Sequence, residues 1–259
     1  NGIPFYLRDL PPDVLERLPQ PATVEEAVSV VRRNLSGGAD VTKLFVLTPQ
    51  GDNTTKAMPV EIARAAVEET HKRSRLVLAH PTELAGIRTA LAAGVDVIVH
   101  TTLGSKRTEW EPALIEQMIT RDMAVVPTLK LWRYELTKAH VPERTIGLAV
   151  GDTIEQLRAY AEAGGQVLFG TDVGYMTEYD PTEEYLLMQR AGLTAAQILT
   201  SLTSAPAARW KEESRRGRVA AGMDADLVVL NADPASDVRN FANVRCVYRQ
   251  GQLIYPFAQ

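Results

Sequence analysis

Two of the chain's four histidines, His80 and His100, close short apolar runs. The runs, Leu76 to Ala79 and Val95 to Val99, are too short for buried helices and rich in Val, Leu and Ile, which predicts strands covered on both faces. Between them the spacing predicts a helix from Glu83 to Ala93, with Leu84, Ile87, Ala90 and Leu91 on one face. Thr82 is its expected N-cap and Gly94 its stop. The result is a βαβ unit with an imidazole at each strand end. In parallel α/β proteins the carboxyl ends of the strands carry the chemistry, so both rings should face one cleft. A single strand-end histidine is commonly a hydrogen-bonded structural residue; two in register bring metal ligation into play.

Three further strand ends carry polar groups. Lys43 interrupts the apolar run Val41 to Thr48 with a charge that a buried strand should not hold unpaired. Thr128 follows the run Met123 to Pro127, and Asp172 follows Val167 to Phe169 in Gly170-Thr171-Asp172-Val173-Gly174. Two neutral imidazoles with a carboxylate suit a borderline divalent ion such as zinc, whose open position would acidify a water. An ammonium beside a dication is repelled. Lys43 therefore fits as a carbamate, or as a Schiff-base nucleophile in a site without metal. Lys130, Trp132, Arg133 and Tyr134 fall in an expected loop beyond Thr128, where Lys130 and Arg133 are candidates to bind a substrate carboxylate. Tyr134 and, three residues after Asp172, Tyr175 are further candidates to line a pocket.

The elements that must position these groups alternate. Asn1 to Gln20 reads as a proline-rich loop, and Thr23 to Asn34 as a helix ended by Ser36-Gly37-Gly38. Pro59 to His71 is a helix with Glu61, Glu68 and Glu69 on its wet face. Helices follow at Pro112 to Arg121, Pro142 to Ala163, Glu183 to Ala191, Thr194 to Leu202 and Ala205 to Trp210. From Gly217 the pattern changes to short strands and tight turns, an antiparallel appendage. The alternation from Thr23 to Leu202 predicts right-handed βα repeats in a barrel or an open sheet.

With 259 residues, 45% hydrophobic, 23% charged and a net charge of −4, the chain has the composition of an ordinary soluble globular protein. No Lys/Arg-rich run lies on one face, which argues against nucleic acid and anionic membranes as partners. One cysteine, Cys246, excludes an internal disulfide framework and a cysteine-rich zinc site. No transmembrane stretch or signal peptide is evident, and compartment is not readable.

Blocks from most of the chain, in order, resemble the amidohydrolase superfamily, in its imidazolonepropionase-like and prolidase-like branch. They are GADVTKLF (38–45), AHPTELAGI and GVDVIVH (within 79–100), LFGTDVG (168–174), LTAAQILTSLTSAPA (193–207) and GMDADLVVL (222–230). The resemblance implies a TIM-like (β/α)8 barrel in residues 1–214, with strands four to eight present, and the C-terminal half of a small β-sandwich in residues 215–259. It implies one or two divalent metals, zinc above all, with Lys43 carboxylated, His80 and His100 as ligands, and Asp172 as ligand and proton shuttle. Two departures stand out. The His-x-His pair that such enzymes carry on the first barrel strand is absent, and Thr82 stands where many relatives place a second histidine.

Three readings follow. The first is a metal-dependent hydrolase of an amide-like C–N bond in a small molecule: a dipeptide, an N-acyl amino acid, a carbamate or a cyclic amide. The second is a Schiff-base lyase using Lys43. The third is a non-catalytic half-barrel completed by a missing N-terminal segment or by another copy, with homo-oligomerisation an open expectation. Five strands cannot close an eight-stranded barrel, so the strands ending at Lys43 and at Asp172 should each present an unpaired edge, and the chain alone is expected to be inactive.

Overall fold

A computed structural model describes residues 2–3, 13, 18–49, 55–104 and 109–256. The strands are β1 (Gly2–Ile3), β2 (Val41–Phe45), β3 (Leu47–Pro49), β4 (Thr55–Ala57), β5 (Leu76–His80), β6 (Val97–Val99), β7 (Ala124–Val126), β8 (Leu227–Leu230), β9 (Val244–Arg249) and β10 (Gln252–Tyr255). The helices are α1 (Val24–Ser36), α2 (Val60–His71), α3 (Leu84–Ala93), α4 (Pro112–Thr120), α5 (Leu129–Lys138), α6 (Glu143–Glu162), α7 (Thr182–Arg190), α8 (Ala195–Leu202) and α9 (Ser204–Arg209). They fall into two compact units, Asn1–Val126 with Glu162–Gln166, and Pro127–Ala161 with Val167–Gln259.

The first unit is built on a parallel sheet in the order β1-β2-β5-β6-β7. Continuous apolar strands need cover on both faces, and Leu44, Val77, Ala79, Val97 and Ile98 are indeed fully buried. Three expectations are corrected here. Gly2–Ile3, expected as loop, is a strand that pairs in parallel with Lys43 and Leu44, so the edge expected to be open at Lys43's strand is covered at those two positions. The run Val41 to Thr48 is not one strand: it breaks at Val46, whose N–H donates to the His80 carbonyl, and resumes as a hairpin of β3 with β4. Glu69, assigned to the wet face of α2, is buried, because Arg32 of α1 and Lys72 meet its carboxylate at 2.7 and 3.0 Å. Those hydrogen bonds hold its pKa down at about 2.

The link from β5 into α3 differs too. Thr82 does not cap the helix; its hydroxyl donates to the Leu47 carbonyl at 2.6 Å and its backbone is left-handed, φ 59°. Gly94 does end α3 as expected, with φ 85° and its N–H donated to Ala90 and Leu91. Gly86 allows α3 to start directly against the chain leaving His80, since a Cβ there would lie 1.8 Å from the Pro81 carbonyl oxygen.

In the second unit, residues 129–138, expected as a loop, form α5. Its first N–H groups lack a local cap and are accepted by the carboxylate of Glu184 in α7, at 2.9 Å for Leu129 and 2.7 Å for Lys130. Of Val167 to Phe169, expected as a strand, only Val167 makes an isolated bridge, and the Phe169 N–H donates to the Ser201 carbonyl at the end of α8. Helix α8 starts with a capping box between Thr194 and Gln197. The antiparallel sheet β10-β9-β8 matches the expected appendage and leaves Val228, Leu253, Ile254 and Tyr255 exposed.

Gly86→Ala tests the close approach of α3. The added methyl meets backbone, not a movable side chain, so the variant should lose about 1–3 kcal/mol in urea unfolding. An unchanged midpoint would mean the contact is not made.

Candidate active site

Parallel pairing brings the two imidazoles together. Leu78 pairs with Val97 and Ala79 with Ile98, so the residues that follow, His80 on β5 and His100 just past β6, emerge side by side. Their ring centroids are 4.7 Å apart at 70°. His100 is buried at 2% exposure, its N–H donates to the Val126 carbonyl, and its backbone sits at φ 85°. A histidine held in that region needs surroundings that fix it. Phe45 of β2 stacks on the His80 ring at 5.2 Å.

Lys43 lies two residues short of the end of β2, opposite Leu78, and not at the strand end as expected. Side chains two apart on a strand share a face, so Lys43 lies beside Phe45, and its ammonium stands 5.6 Å from that ring's centroid. Burial, and then the Lys43 charge, push the His80 pKa down to about 3. Burial, then the charges of His80 and Lys43, hold His100 well below its usual range. Both rings are therefore neutral at pH 7 and carry a lone pair each, the state in which imidazole ligates a metal.

Among the described residues no group of three or more His, Cys, Asp or Glu could by itself hold an ion. The donor set of this unit is thus two neutral imidazoles, with Lys43 able to add oxygen only as a carbamate. Such a set fits the nitrogen half of a zinc-type site. Asp172 belongs to the second unit. Its backbone is left-handed, φ 61°, and its carbonyl accepts the N–H groups of Tyr175 and Met176 in a closed turn.

The remaining candidates lie in the second unit as well, mostly engaged with neighbours. Lys130 is buried, its ammonium 3.1 Å from a Glu178 carboxylate oxygen and donating to the Glu178 and Asp180 carbonyls. Arg133 pairs with Glu143 at 2.7 Å and Glu183 at 2.8 Å. Tyr134 meets Tyr175 edge to face at 6.5 Å, and the Lys138 ammonium lies within 6.0 Å of both rings. The Tyr175 hydroxyl donates to Glu135 at 3.0 Å, while burial and that partner raise its pKa to about 12. Glu184 is not among the residues that sequence reasoning singles out. It is fully buried, and burial pushes its carboxyl up to about 7 against the two backbone N–H groups that favour the charged form. Its partners lie 54 and 55 residues away, and no local pattern marks it.

A parallel sheet with histidines at successive carboxyl ends fits the α/β architecture of TIM-barrel proteins, and comparison agrees. A model of the amidohydrolase family matches residues 130–255. Ochratoxinase from Aspergillus niger is 27% identical over 236 residues, covering 86% of this chain and 47% of its own. A protein from Bifidobacterium longum assigned as a prolidase superposes with a TM-score of 0.79 at 27% identity, covering 92% of this chain and 61% of that one. A Xaa-Pro dipeptidase with methionine in its active site shares the fold, with a TM-score of 0.79 at 24% identity, over 90% and 59% of the two chains. The chain is thus similar to the amidohydrolase family over residues 130–255 and to prolidase structures over most of its length. It spans about half the length of the curated relatives it matches.

Neutral buried imidazoles have an acid cost. The unfolded chain takes up protons below an ordinary pKa of 6.5 and the folded His80 only near 3, so stability is full above that range and is lost as pH falls from about 6.5 towards 3. In urea unfolding of metal-free protein the loss should approach about 1.4 kcal/mol per pH unit for each such ring. It should be shallower in His80→Gln, and parallel curves for the two proteins would contradict the assignment.

Proposed function

We propose that this protein is a metal-dependent hydrolase that cleaves an amide-like C–N bond in a small molecule, such as a dipeptide, an N-acyl amino acid, a carbamate or a cyclic amide. The observation that carries the reading is the contact of His80 and His100, two buried neutral imidazoles at adjacent carboxyl ends of a parallel sheet. The hydrolase names of the relatives support it. His80 and His100 would hold a divalent ion such as zinc, joined by Lys43 as its carbamate and by Asp172. The ion would supply a more acidic water and polarise the scissile carbonyl. Asp172 takes the proton of the attacking water and delivers it to the leaving nitrogen. Burial of both rings and the nearby Lys43 charge keep the imidazoles unprotonated. The proposed domain boundary stays at 214/215, where helices give way to short strands, with residues 1–214 as barrel and 215–259 as part of a small β-sandwich.

The protein should lose activity on a panel of dipeptides, N-acyl amino acids and ring amides when dialysed against a chelator, and regain it with zinc. Asp172→Asn should keep its metal content better than its turnover, which should fall by about 10²-fold or more. Turnover that survives exhaustive metal removal, or a borohydride-trapped substrate adduct on Lys43, would contradict the reading.

A further inference from the structure

Helix α5 is tied to the segment that carries Asp172 at three points. The Lys130 ammonium donates to the carbonyls of Glu178 at 3.4 Å and Asp180 at 2.9 Å, and pairs with the Glu178 carboxylate at 3.1 Å. Five residues further along the helix, Glu135 accepts the Tyr175 hydroxyl at 3.0 Å. Between these ties Met176 is fully buried, and its N–H closes back on the Asp172 carbonyl. The segment from Asp172 to Asp180 belongs to no named helix or strand. Ties to α5 and the closed turn at Asp172 fix several points along its course.

The start of α5 is fixed in turn from the far side of that segment. Glu184, on the first turns of α7, has no exposure and accepts the N–H groups of Leu129 and Lys130 with one carboxylate oxygen each. A helix start whose N–H groups are buried needs such an acceptor, and Thr128, in the left-handed region, makes no side-chain cap. We propose that Glu184 is a positioning residue: by capping α5 it sets Lys130 and Glu135, which hold the Asp172–Asp180 segment and so aim the Asp172 carboxyl. Lys130 then acts as a strut within the protein in place of the substrate carboxylate binder expected from sequence. This rests on Asp172 being the proton shuttle of the proposed hydrolysis.

Glu184→Gln keeps the shape of the side chain but turns an amide N–H₂ towards one of the two backbone donors, removing one hydrogen bond. Hydrogen–deuterium exchange of the peptide spanning 172–181 should quicken by about tenfold in this variant. In the metal-loaded protein kcat should fall about tenfold with KM little changed. In an Asp172→Asn background the same substitution should change the residual rate by less than about twofold, because the group it aims is already gone. Lys130→Met, which leaves the cap intact, should quicken exchange in 172–181 likewise, and it serves if Glu184→Gln does not fold. Unchanged exchange in 172–181, or an equal rate loss with and without Asp172, would overturn the proposal. Absence of any amide hydrolysis by the unmodified protein would instead sink the functional reading, while the exchange comparison still decides whether the brace exists.

Discussion

The register between β5 and β6 is the constraint on which the candidate site depends. Parallel neighbours bring His80 and His100 out of the sheet at one place only while Leu78 stays opposite Val97 and Ala79 opposite Ile98. A slip of one residue would turn every side chain of a strand to its other face. The other end of the ladder guards against this. One carboxylate oxygen of Asp96 accepts the Val77 N–H at 2.6 Å and meets the His71 ring at 2.9 Å, while the Asp96 N–H donates to the Val77 carbonyl at 3.1 Å. At the chemistry-bearing end the backbones of His80 and His100 still join neighbouring strands through Val46 and Val126, while their rings face each other.

Burial then decides the charge state of that end. Placing imidazoles against apolar strands and beside Lys43 costs the protonated form more than the neutral one, so both rings keep a lone pair at neutral pH. The second unit handles its charges in the opposite way, by pairing them: Lys130 with Glu178, Arg133 with Glu143 and Glu183, and Glu184 with two backbone N–H groups. The first pattern leaves bases ready for an electrophile. The second makes a stiff frame for the segment bearing Asp172.

What the sequence disclosed and what it hid follow from the range of the interactions involved. Strands β5 and β6, helix α3 and the two terminal histidines were legible because apolar runs of strand length, a helical face and Gly94 are local signals. Nothing in the run Val41 to Thr48 reveals that β2 continues past Lys43 to Phe45 and breaks at Val46, whose N–H donates to the His80 carbonyl. Helix α5 carries no local start signal because its cap, Glu184, comes from another helix, and nothing local marks Glu69 as buried because its counterion, Arg32, sits 37 residues away. Thr82 looked like a cap by residue type, yet its hydroxyl goes to Leu47 of the neighbouring hairpin. Each miss is a long-range polar contact overriding a sound local preference.

The central claim, that His80 and His100 are a metal-binding pair, is tested most directly by diffraction from crystals of the protein grown with zinc, with data collected on both sides of the zinc absorption edge. The account predicts an anomalous peak about 2.0–2.1 Å from a ring nitrogen of each histidine, absent below the edge. A fully occupied zinc peak elsewhere, with the His80 and His100 rings still packed against each other and no density between their nitrogens, would contradict it.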